Sequence, residues 1–280
     1  MALIEFKNVS YKYPKSDRFI IKDINLEIGS GEFVLLIGPT GCGKTTLCRC
    51  MNGLIPHFYP GEFLGDVIVE GENTRNVQTN LLATKVGMVF QNPENMLFSL
   101  NVEKEIAFGM ENLAIPREEM KRKIRELMSL LDIEHLRDRT PYELSGGEQQ
   151  IVAIASVLAL NPKILVLDEP TANLDPLTAM EIIKLLHKLN KEKGITIILV
   201  EHRIELILPI ATRVILMNDG QIVADAKPRE IVEGNALEEI GINIPSIVSL
   251  FKELRKNHRE LIIPLSVQEA VNEIKKVREQ

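Results

Sequence analysis

A glycine-rich segment at residues 38–45 has the residue types and the spacing that bind phosphate groups. It fits the pattern G-x-x-x-x-G-K-[ST] and lies between a buried apolar run and a helical segment. Glycines let several backbone N–H groups approach phosphate oxygens, and the helix start adds positive potential. Lys44 adds charge at the outer phosphates, and the Thr45 hydroxyl suits Mg2+. The predicted phosphate-binding residues are Gly38, Pro39, Thr40, Gly41, Cys42, Gly43, Lys44, Thr45 and Thr46.

Two carboxylates follow a second buried apolar run, at residues 164–167. Asp168 and Glu169 would lie at the carboxyl end of a strand, the edge where open parallel sheets bind ligands. Neighbouring strand residues face opposite ways, so Asp168 can serve the Mg2+ shell while Glu169 addresses an attacking water. The alternative is a pair of exposed turn carboxylates before Pro170. Because the phosphate loop is present as well, the pair predicts hydrolysis of a nucleoside triphosphate.

Buried apolar runs predict the sheet that positions these residues. The runs lie at residues 33–37, 164–167, 195–200 and 214–217. A helical pattern at 178–193 separates two of them, and strand, helix, strand at this spacing indicates a parallel sheet. Alternating apolar and polar residues predict half-exposed strands at 4–9 and 24–28. Helices are predicted at 102–110, 117–131, 145–160, 244–254 and 267–277, with a short strand at 221–224.

Composition limits the class of protein. The chain has 280 residues, of which 45% are hydrophobic and 26% charged, as in a globular protein. No apolar run reaches the roughly 20 residues that cross a bilayer, and the start lacks the pattern of a secretion signal, so we expect a cytosolic chain. The net charge of −6 gives no basic surface for nucleic acid. The three cysteines are interpreted as buried or neutral thiols rather than metal ligands.

The segment Leu-Ser-Gly-Gly-Glu-Gln-Gln at residues 144–150 resembles the signature motif of ATP-binding cassette (ABC) proteins. The resemblance spans roughly residues 3–225. It implies an α/β phosphate-loop NTPase core with a mainly parallel sheet, an antiparallel β subdomain, a helical insert subdomain and a small carboxy-terminal α/β extension. The implied domains are an ABC ATPase domain at 1–225, with its helical subdomain at about 95–160, and an extension at 226–280.

The resemblance also implies a shared site between two ATPase subunits packed head to tail. Ser145, Gly146, Gly147 and Glu148 of one subunit would close over the ATP bound at the Lys44 loop of the other. Serine and glycine at a helix start form an anion-binding end on physical grounds as well.

Other residues of the chain match the remaining elements of the family. Gln91 resembles the Q-loop residue that contacts metal and water, Asp175 lies in a segment like the D-loop, and His202 resembles the switch histidine. Tyr13 lies at the usual distance before the phosphate loop for the aromatic residue that stacks on adenine, and Tyr11 is the competing candidate. The implied catalytic residues are Glu169, His202 and Gln91, and the implied Mg2+ ligands are Thr45, Gln91 and Asp168.

Residues 91–95, 102–109 and 111–113 resemble the ATPases of energy-coupling factor transporters, which import vitamins or the metals cobalt and nickel. Segments 238–245 and 265–270 resemble the carboxy-terminal extension of those subunits, which contributes to dimer contacts. This branch implies a second ABC ATPase subunit, a transmembrane coupling protein and a substrate-binding membrane protein as partners, no nucleic acid, and a place at the cytoplasmic face of the cell membrane.

The chain departs from the family pattern at Ile151, where an arginine is usual, and at Glu148, where glutamine is commoner. These departures leave open whether the signature side of the site is fully active. Two other functions are weighed against transport. A soluble ABC ATPase of DNA repair or translation would usually carry a coiled-coil insertion or a second cassette, and a regulatory protein that holds ATP without turnover would not need Glu169 and His202.

Overall fold

The structure is a computed structural model that describes residues 2–278. Two β-sheets form the framework of the molecule. The strands are β1 (Ala2–Lys12), β2 (Ile21–Gly29), β3 (Phe33–Ile37), β4 (Glu62–Val69), β5 (Glu72–Asn73), β6 (Val86–Val89), β7 (Ile164–Asp168), β8 (Thr196–Val200), β9 (Arg213–Asn218) and β10 (Gln221–Ala226). The first sheet is antiparallel, in the order β2-β1-β4-β5. The second has the order β10-β9-β3-β8-β7-β6, and only its edge pair β9-β10 is antiparallel.

The α-helices lie between and around the two sheets, and turns, loops and short 3-10 helices connect them. The α-helices are α1 (Lys44–Met51), α2 (Leu54–His57), α3 (Thr79–Leu82), α4 (Val102–Asn112), α5 (Arg117–Leu130), α6 (Gly146–Leu158), α7 (Pro176–Lys193), α8 (Ile204–Ile207), α9 (Pro228–Glu233), α10 (Ala236–Glu239), α11 (Ser246–Leu254) and α12 (Val267–Arg278). Among residues 2–278 no helix is both long and apolar enough to span a membrane.

Strand β3 separates two hydrophobic cores because its side chains alternate between the faces of the sheet. Phe33, Leu35 and Ile37 pack with the helical insert and α7 on one face. Val34 and Leu36 pack with α1 and the antiparallel sheet on the other. All five residues of β3 are buried, which explains why its sequence is uninterrupted by polar residues.

Four parallel strands end at the same edge of the sheet, and this arrangement builds the site. β3 pairs with β8, β8 with β7, and β7 with β6, all in parallel. The phosphate loop follows β3, Gln91 follows β6, Glu169 follows β7 and His202 follows β8. Segments far apart in the chain therefore meet at one edge.

The predicted fold class is confirmed for the ATPase core: the sheet is mainly parallel, β1 and β2 lie in an antiparallel sheet, and α4, α5 and α6 form the helical insert. The prediction of an α/β extension is wrong for the described residues. From residue 227 to residue 278 the chain forms helices and no strand, because its apolar residues recur at helical spacing. The boundary at 225/226 stays a prediction.

The extension does not have a fully separate core. Ile231, Val232, Leu237 and Val248 belong to the same hydrophobic cluster as the strands and the helical insert. A small second cluster of Phe251, Leu261 and Ala270 holds its outer part together.

Candidate active site

Three glycines of the phosphate loop occupy positions that disfavour a side chain, either because φ is positive or because a Cβ would clash with a neighbouring strand. Gly41 and Gly43 have φ of +80° and +111°, a region that side chains disfavour. A Cβ on Gly38 would lie 2.2 Å from the Met217 carbonyl oxygen of β9. The Gly220 N–H donates to the Cys42 carbonyl at 3.0 Å, which ties the loop to the β9-β10 turn. Gly43 caps α1 without a side-chain hydrogen bond, so the helix start is open to an anion.

Lys44 lies along the same loop and is only 5% exposed. Its Nζ donates to the carbonyl oxygens of Gly38 at 2.7 Å and Pro39 at 3.0 Å. These bonds hold a positive charge beside the open helix end.

The three cysteines are buried, and burial raises the pKa of the Cys42, Cys48 and Cys50 thiols. No cluster of three or more His, Cys, Asp or Glu side chains suited to a metal occurs among residues 2–278. The thiols are buried, as the sequence interpretation expected.

Asp168 is the buried carboxylate at the end of β7. Burial raises its pKa, while an interaction with the Thr45 hydroxyl lowers it. Its Oδ1 is buried without a hydrogen-bond partner among the described residues. A buried carboxylate oxygen next to a hydroxyl is a donor set that fits Mg2+, because this cation prefers oxygen ligands. The assignment of Thr45, Gln91 and Asp168 as ligands stays a prediction.

Glu169 is held by the two other residues predicted to be catalytic. Its Oε2 accepts a hydrogen bond from Gln91 Nε2 at 3.1 Å, and its Oε1 lies 3.0 Å from His202 Nε2. The Glu169 N–H donates to the Val200 carbonyl at 3.0 Å, and the residue has φ of +53°. Such a backbone is uncommon for a residue with a side chain and is often found at functional sites. Residues 91, 169 and 202 therefore converge, and their catalytic roles stay a prediction.

The two tyrosine candidates for adenine stacking differ in exposure. Tyr11 is 0% exposed, and its hydroxyl donates to the carbonyls of Tyr59 and Pro60. Burial raises the pKa of Tyr11 to about 12. Tyr13 is half-buried and packs edge-on against Tyr11, with ring centroids 4.8 Å apart. A fully buried ring offers no face to a base, so Tyr13 remains the candidate.

The Tyr13 hydroxyl is anchored by residues of helix α1. It shares a hydrogen bond of 3.3 Å with the Thr46 hydroxyl and accepts one of 3.0 Å from Arg49. These bonds connect the aromatic candidate to the helix that follows the phosphate loop.

The signature residues form the capped start of α6. The Ser145 N–H and hydroxyl both donate to Glu148 Oε2 at 2.8 Å, and the Glu148 N–H donates to Ser145 Oγ at 3.4 Å. The bond from the Ser145 N–H, followed by that from its hydroxyl, lowers the pKa of Glu148. No hydrogen bond of the described residues joins 145–148 to the phosphate loop of the same chain. The role of Ser145, Gly146, Gly147 and Glu148 therefore stays a prediction about a second subunit.

Asp175 has a structural role as the cap of α7. It accepts from Leu177 N at 3.0 Å, Thr178 N at 3.2 Å and Thr178 Oγ1 at 2.5 Å. The bond from the Thr178 hydroxyl is the main cause of its lowered pKa. A Cβ on Gly147 would lie 2.4 Å from Thr178 Cγ2, so the signature helix packs closely on the start of α7.

Glu201 is a buried carboxylate of the site that sequence reasoning missed. It directly follows β8 and precedes His202, and it is 2% exposed. Its position directly after a buried strand matches that of Glu169 after β7, and this signal was available in the sequence. The contact between Asn92 and Asn173 was not predicted either: Asn173 Nδ2 donates to Asn92 Oδ1 at 3.1 Å and joins the loops after β6 and β7.

Comparison with known proteins identifies the family. Residues 21–172 match the family model described as ABC transporter. A Pyrococcus abyssi chain with the provisional name ABC transporter ATP-binding protein is 48% identical over 99% of both chains. The energy-coupling factor transporter ATP-binding protein EcfA2 of Clostridium perfringens is 42% identical over 97% of this chain and 98% of its own length.

Solved structures agree with the sequence comparison. The structure of cbiO1 from Clostridium perfringens, described as part of the ABC transporter complex cbiONQ, has a TM-score of 0.76 at 32% identity and covers 90% of this chain and 99% of that chain. The ATP-binding cassette MJ0796, described as a dimer in a post-hydrolysis state bound to ADP and Pi, has a TM-score of 0.70 at 32% identity over 81% of this chain and 99% of its own. The chain belongs to the ABC transporter family and is its ATP-binding subunit, an ABC ATPase.

Proposed function

We propose that this ABC ATPase subunit powers an importer of the energy-coupling factor type and that Glu169 prepares the water that attacks ATP. The observation that carries the chemical part is the pair of contacts to the Glu169 carboxylate, from Gln91 at 3.1 Å and His202 at 3.0 Å. A carboxylate fixed on both oxygens at a sheet edge is suited to orient a water and accept its proton.

The phosphate loop and Lys44 would hold the triphosphate, and Tyr13 would stack on the adenine. Thr45, Gln91 and Asp168 are the proposed ligands of Mg2+. When bound, this cation would neutralise charge on the phosphate oxygens. The buried Asp168 oxygen without a hydrogen-bond partner among residues 2–278 supports this assignment.

A second subunit would complete the site. Ser145, Gly146 and Gly147 at the start of α6 would close over ATP on the Lys44 loop of the partner, with Glu148 and Asp175 beside them. The dimeric form described for MJ0796 supports this proposal. So does the lack of a hydrogen bond, among residues 2–278, between the signature and the phosphate loop of the same chain. ATP would then join two subunits, and hydrolysis would release them.

The membrane partner would dock at the junction of the helical insert and the sheet. Phe98 is 58% exposed and packs edge-on against Phe108 at 4.7 Å, and Leu100 is exposed nearby in sequence. These aromatics line a cavity of about 280 Å3 together with Met88 and Phe90. Exposed apolar side chains around a cavity are typical of protein interfaces. Here a transmembrane coupling protein would bind at the cytoplasmic face of the membrane.

The importer branch is supported by the names of similar proteins, EcfA2 and cbiO1. A substrate-binding membrane protein would complete the transporter, and a vitamin, cobalt or nickel would be its cargo.

The catalytic assignment is tested by Glu169→Gln. General-base catalysis contributes roughly 10²–10⁴-fold, so this variant should bind ATP but hydrolyse it at least about a hundredfold more slowly. Phosphate release and nucleotide binding are measured on the same samples. The matched control is Glu181→Gln, an exposed glutamate of α7. Normal turnover by Glu169→Gln would contradict the assignment.

The transport assignment is tested by gentle purification from membranes followed by mass spectrometry. We expect integral membrane proteins to copurify with the wild-type chain and to be reduced by Phe98→Ala. Phe58→Ala is the control, because Phe58 is 73% exposed and lies outside this cavity. Copurification of ribosomes or DNA-repair proteins instead would contradict transport.

A further inference from the structure

A buried carboxylate connects the two loops that carry the proposed catalytic pair. Glu201 Oε1 accepts hydrogen bonds from the Thr171 N–H at 3.0 Å and from the Thr171 hydroxyl. Glu201 Oε2 accepts from the backbone N–H groups of His202 at 2.9 Å and Arg203 at 3.4 Å. All of these donors are neutral, and Thr171 is itself fully buried. A buried charge is expensive unless it is hydrogen-bonded, so this contact is unlike an exposed surface pair.

One oxygen of Glu201 binds the loop that carries Glu169, and the other binds the turn that carries His202. Thr171 lies two residues after Glu169, and His202 directly follows Glu201. The backbone on each side of the 3.0 Å contact between Glu169 and His202 is therefore fastened to the same carboxylate. A second bond, from Arg203 Nη2 to the Leu174 carbonyl at 2.8 Å, joins the same two loops.

The hydrogen-bond pattern requires a carboxylate at this position. Each carboxylate oxygen of Glu201 accepts a hydrogen bond from at least one backbone N–H, so both terminal atoms of this side chain must be acceptors. Glutamine has the same length, but its NH2 group would face one of these donors. Aspartate keeps both acceptors, but it is one methylene shorter and would not span from β8 to the loop after β7.

We propose that Glu201 is a positioning residue for ATP hydrolysis. By joining the turn 201–203 to the loop 170–174, it holds His202 Nε2 against the carboxylate of Glu169. The proposal rests on the function proposed above. It adds a residue whose effect passes through Glu169 and His202 rather than through contact with ATP.

The first test compares Glu201→Gln with Glu205→Gln, an exposed glutamate four residues further along. Glu201→Gln should lower kcat by about tenfold or more, because small displacements of catalytic groups cost up to about a hundredfold. The dissociation constant for ATP should not change, since the phosphate loop is untouched. Glu205→Gln should match the wild type in both measurements. Normal kcat in Glu201→Gln would overturn the proposal.

The second test separates positioning from general stabilisation. Residues that act as one unit have non-additive effects, so adding Glu201→Gln to Glu169→Gln should not lower single-turnover hydrolysis further. An additive loss, or a parallel loss of ATP binding, would mean that Glu201 only stabilises the fold. A hundredfold effect of Glu169→Gln combined with no effect of Glu201→Gln would refute this inference and leave the proposed function standing. Normal turnover in Glu169→Gln would refute the proposed function itself.

Thr171 provides a milder variant in case Glu201→Gln does not fold. Thr171→Val removes the hydroxyl that donates to Glu201 but keeps the backbone N–H donor. It should lower kcat severalfold at unchanged ATP affinity, and Thr171→Ser should restore turnover because it restores the hydroxyl. Equal turnover in the valine and serine variants would overturn the proposal.

Discussion

The phosphate loop and the signature segment each lead into a helix with glycine at its start, but the two helix N-termini are capped differently. Helix α1 begins after Gly43, whose φ is +111° and which makes no side-chain cap. Helix α6 begins after Ser145, which forms a reciprocal capping box with Glu148. The first turn of α1 carries the ammonium of Lys44, which donates to the Gly38 carbonyl. The first turn of α6 carries the carboxylate of Glu148, which accepts from the Ser145 hydroxyl.

We propose that this difference lets the start of α1 bind a phosphate within a single chain, whereas the start of α6 does not. The open N–H groups of α1 and the nearby cation both favour an anion. At the start of α6 the Ser145 N–H already donates to the Glu148 carboxylate and the Glu148 N–H already donates to the Ser145 hydroxyl. The Glu148 carboxylate also repels an anion. We infer that α6 contributes only when ATP is presented by the phosphate loop of a second subunit.

The largest expected effect comes from removing the cation at α1. Lys44→Ala should weaken ATP binding by about a hundredfold or more, because hydrogen bonds to charged groups contribute about 1.5–3 kcal/mol each. Isothermal titration calorimetry measures this effect. Lys184→Ala, on the exposed face of α7, is the control. Unchanged affinity in Lys44→Ala would break the comparison, since α1 would then not be the primary phosphate site.

A smaller and different effect is expected from Ser145→Ala. A single chain should bind ATP with normal affinity, but ATP-dependent dimerisation in a Glu169→Gln background should weaken about tenfold. Loss of the cap itself costs about 1 kcal/mol of stability. Light scattering after size-exclusion chromatography measures the dimer. Ser145→Thr should retain it, because the hydroxyl remains. Weak ATP binding by monomeric Ser145→Ala would show that α6 acts within its own chain.

The smallest effect is expected from Glu148→Gln, and it should depend on pH. The folded-state pKa of Glu148 is lowered, chiefly by the Ser145 N–H. Its ionised form therefore stabilises the fold above the unfolded pKa of about 4.3, and this contribution is lost as pH falls through the folded value. Because Glu148 is partly exposed, the difference in unfolding free energy should be below about 1 kcal/mol at neutral pH.

Urea unfolding of both proteins at several pH values checks this prediction. The stability difference between wild type and Glu148→Gln should shrink as the solution is acidified. A difference that grows on acidification would mean that the capping box does not depend on the ionised carboxylate.

The sequence was informative about the fold wherever burial was complete. The runs at 33–37 and 164–167 became β3 and β7 almost to the residue, because strands buried on both faces contain only apolar side chains. The strand β4 was missed, since residues 62–69 combine exposed and buried positions with Gly65 at φ of +75°. The short helices of the extension were missed because four to six residues carry little periodicity.

The site was predictable for residues that follow a buried strand and carry a family motif. Glu169, Gln91 and His202 were named from the sequence, and they meet because parallel strands end at one edge; their catalytic roles stay a prediction. Glu201 belongs to no motif, and its proposed role depends on a hydrogen bond from Thr171, which lies thirty residues away in the sequence. Such a contact is set by the pairing of β7 with β8 and not by local pattern.

The carboxy-terminal helices pack in the same hydrophobic cluster as the main sheet, and this limits where the chain can be truncated. Cutting the chain after β10 would remove Ile231, Val232, Leu237 and Val248 from a cluster that also contains Leu165 and Leu199. The truncated protein would expose a hydrophobic surface that is buried in the full chain, and we expect it to aggregate. A shortened version should begin by removing the outer helix α12, in which Ala270 belongs to the small second cluster and Glu269 pairs with Arg229.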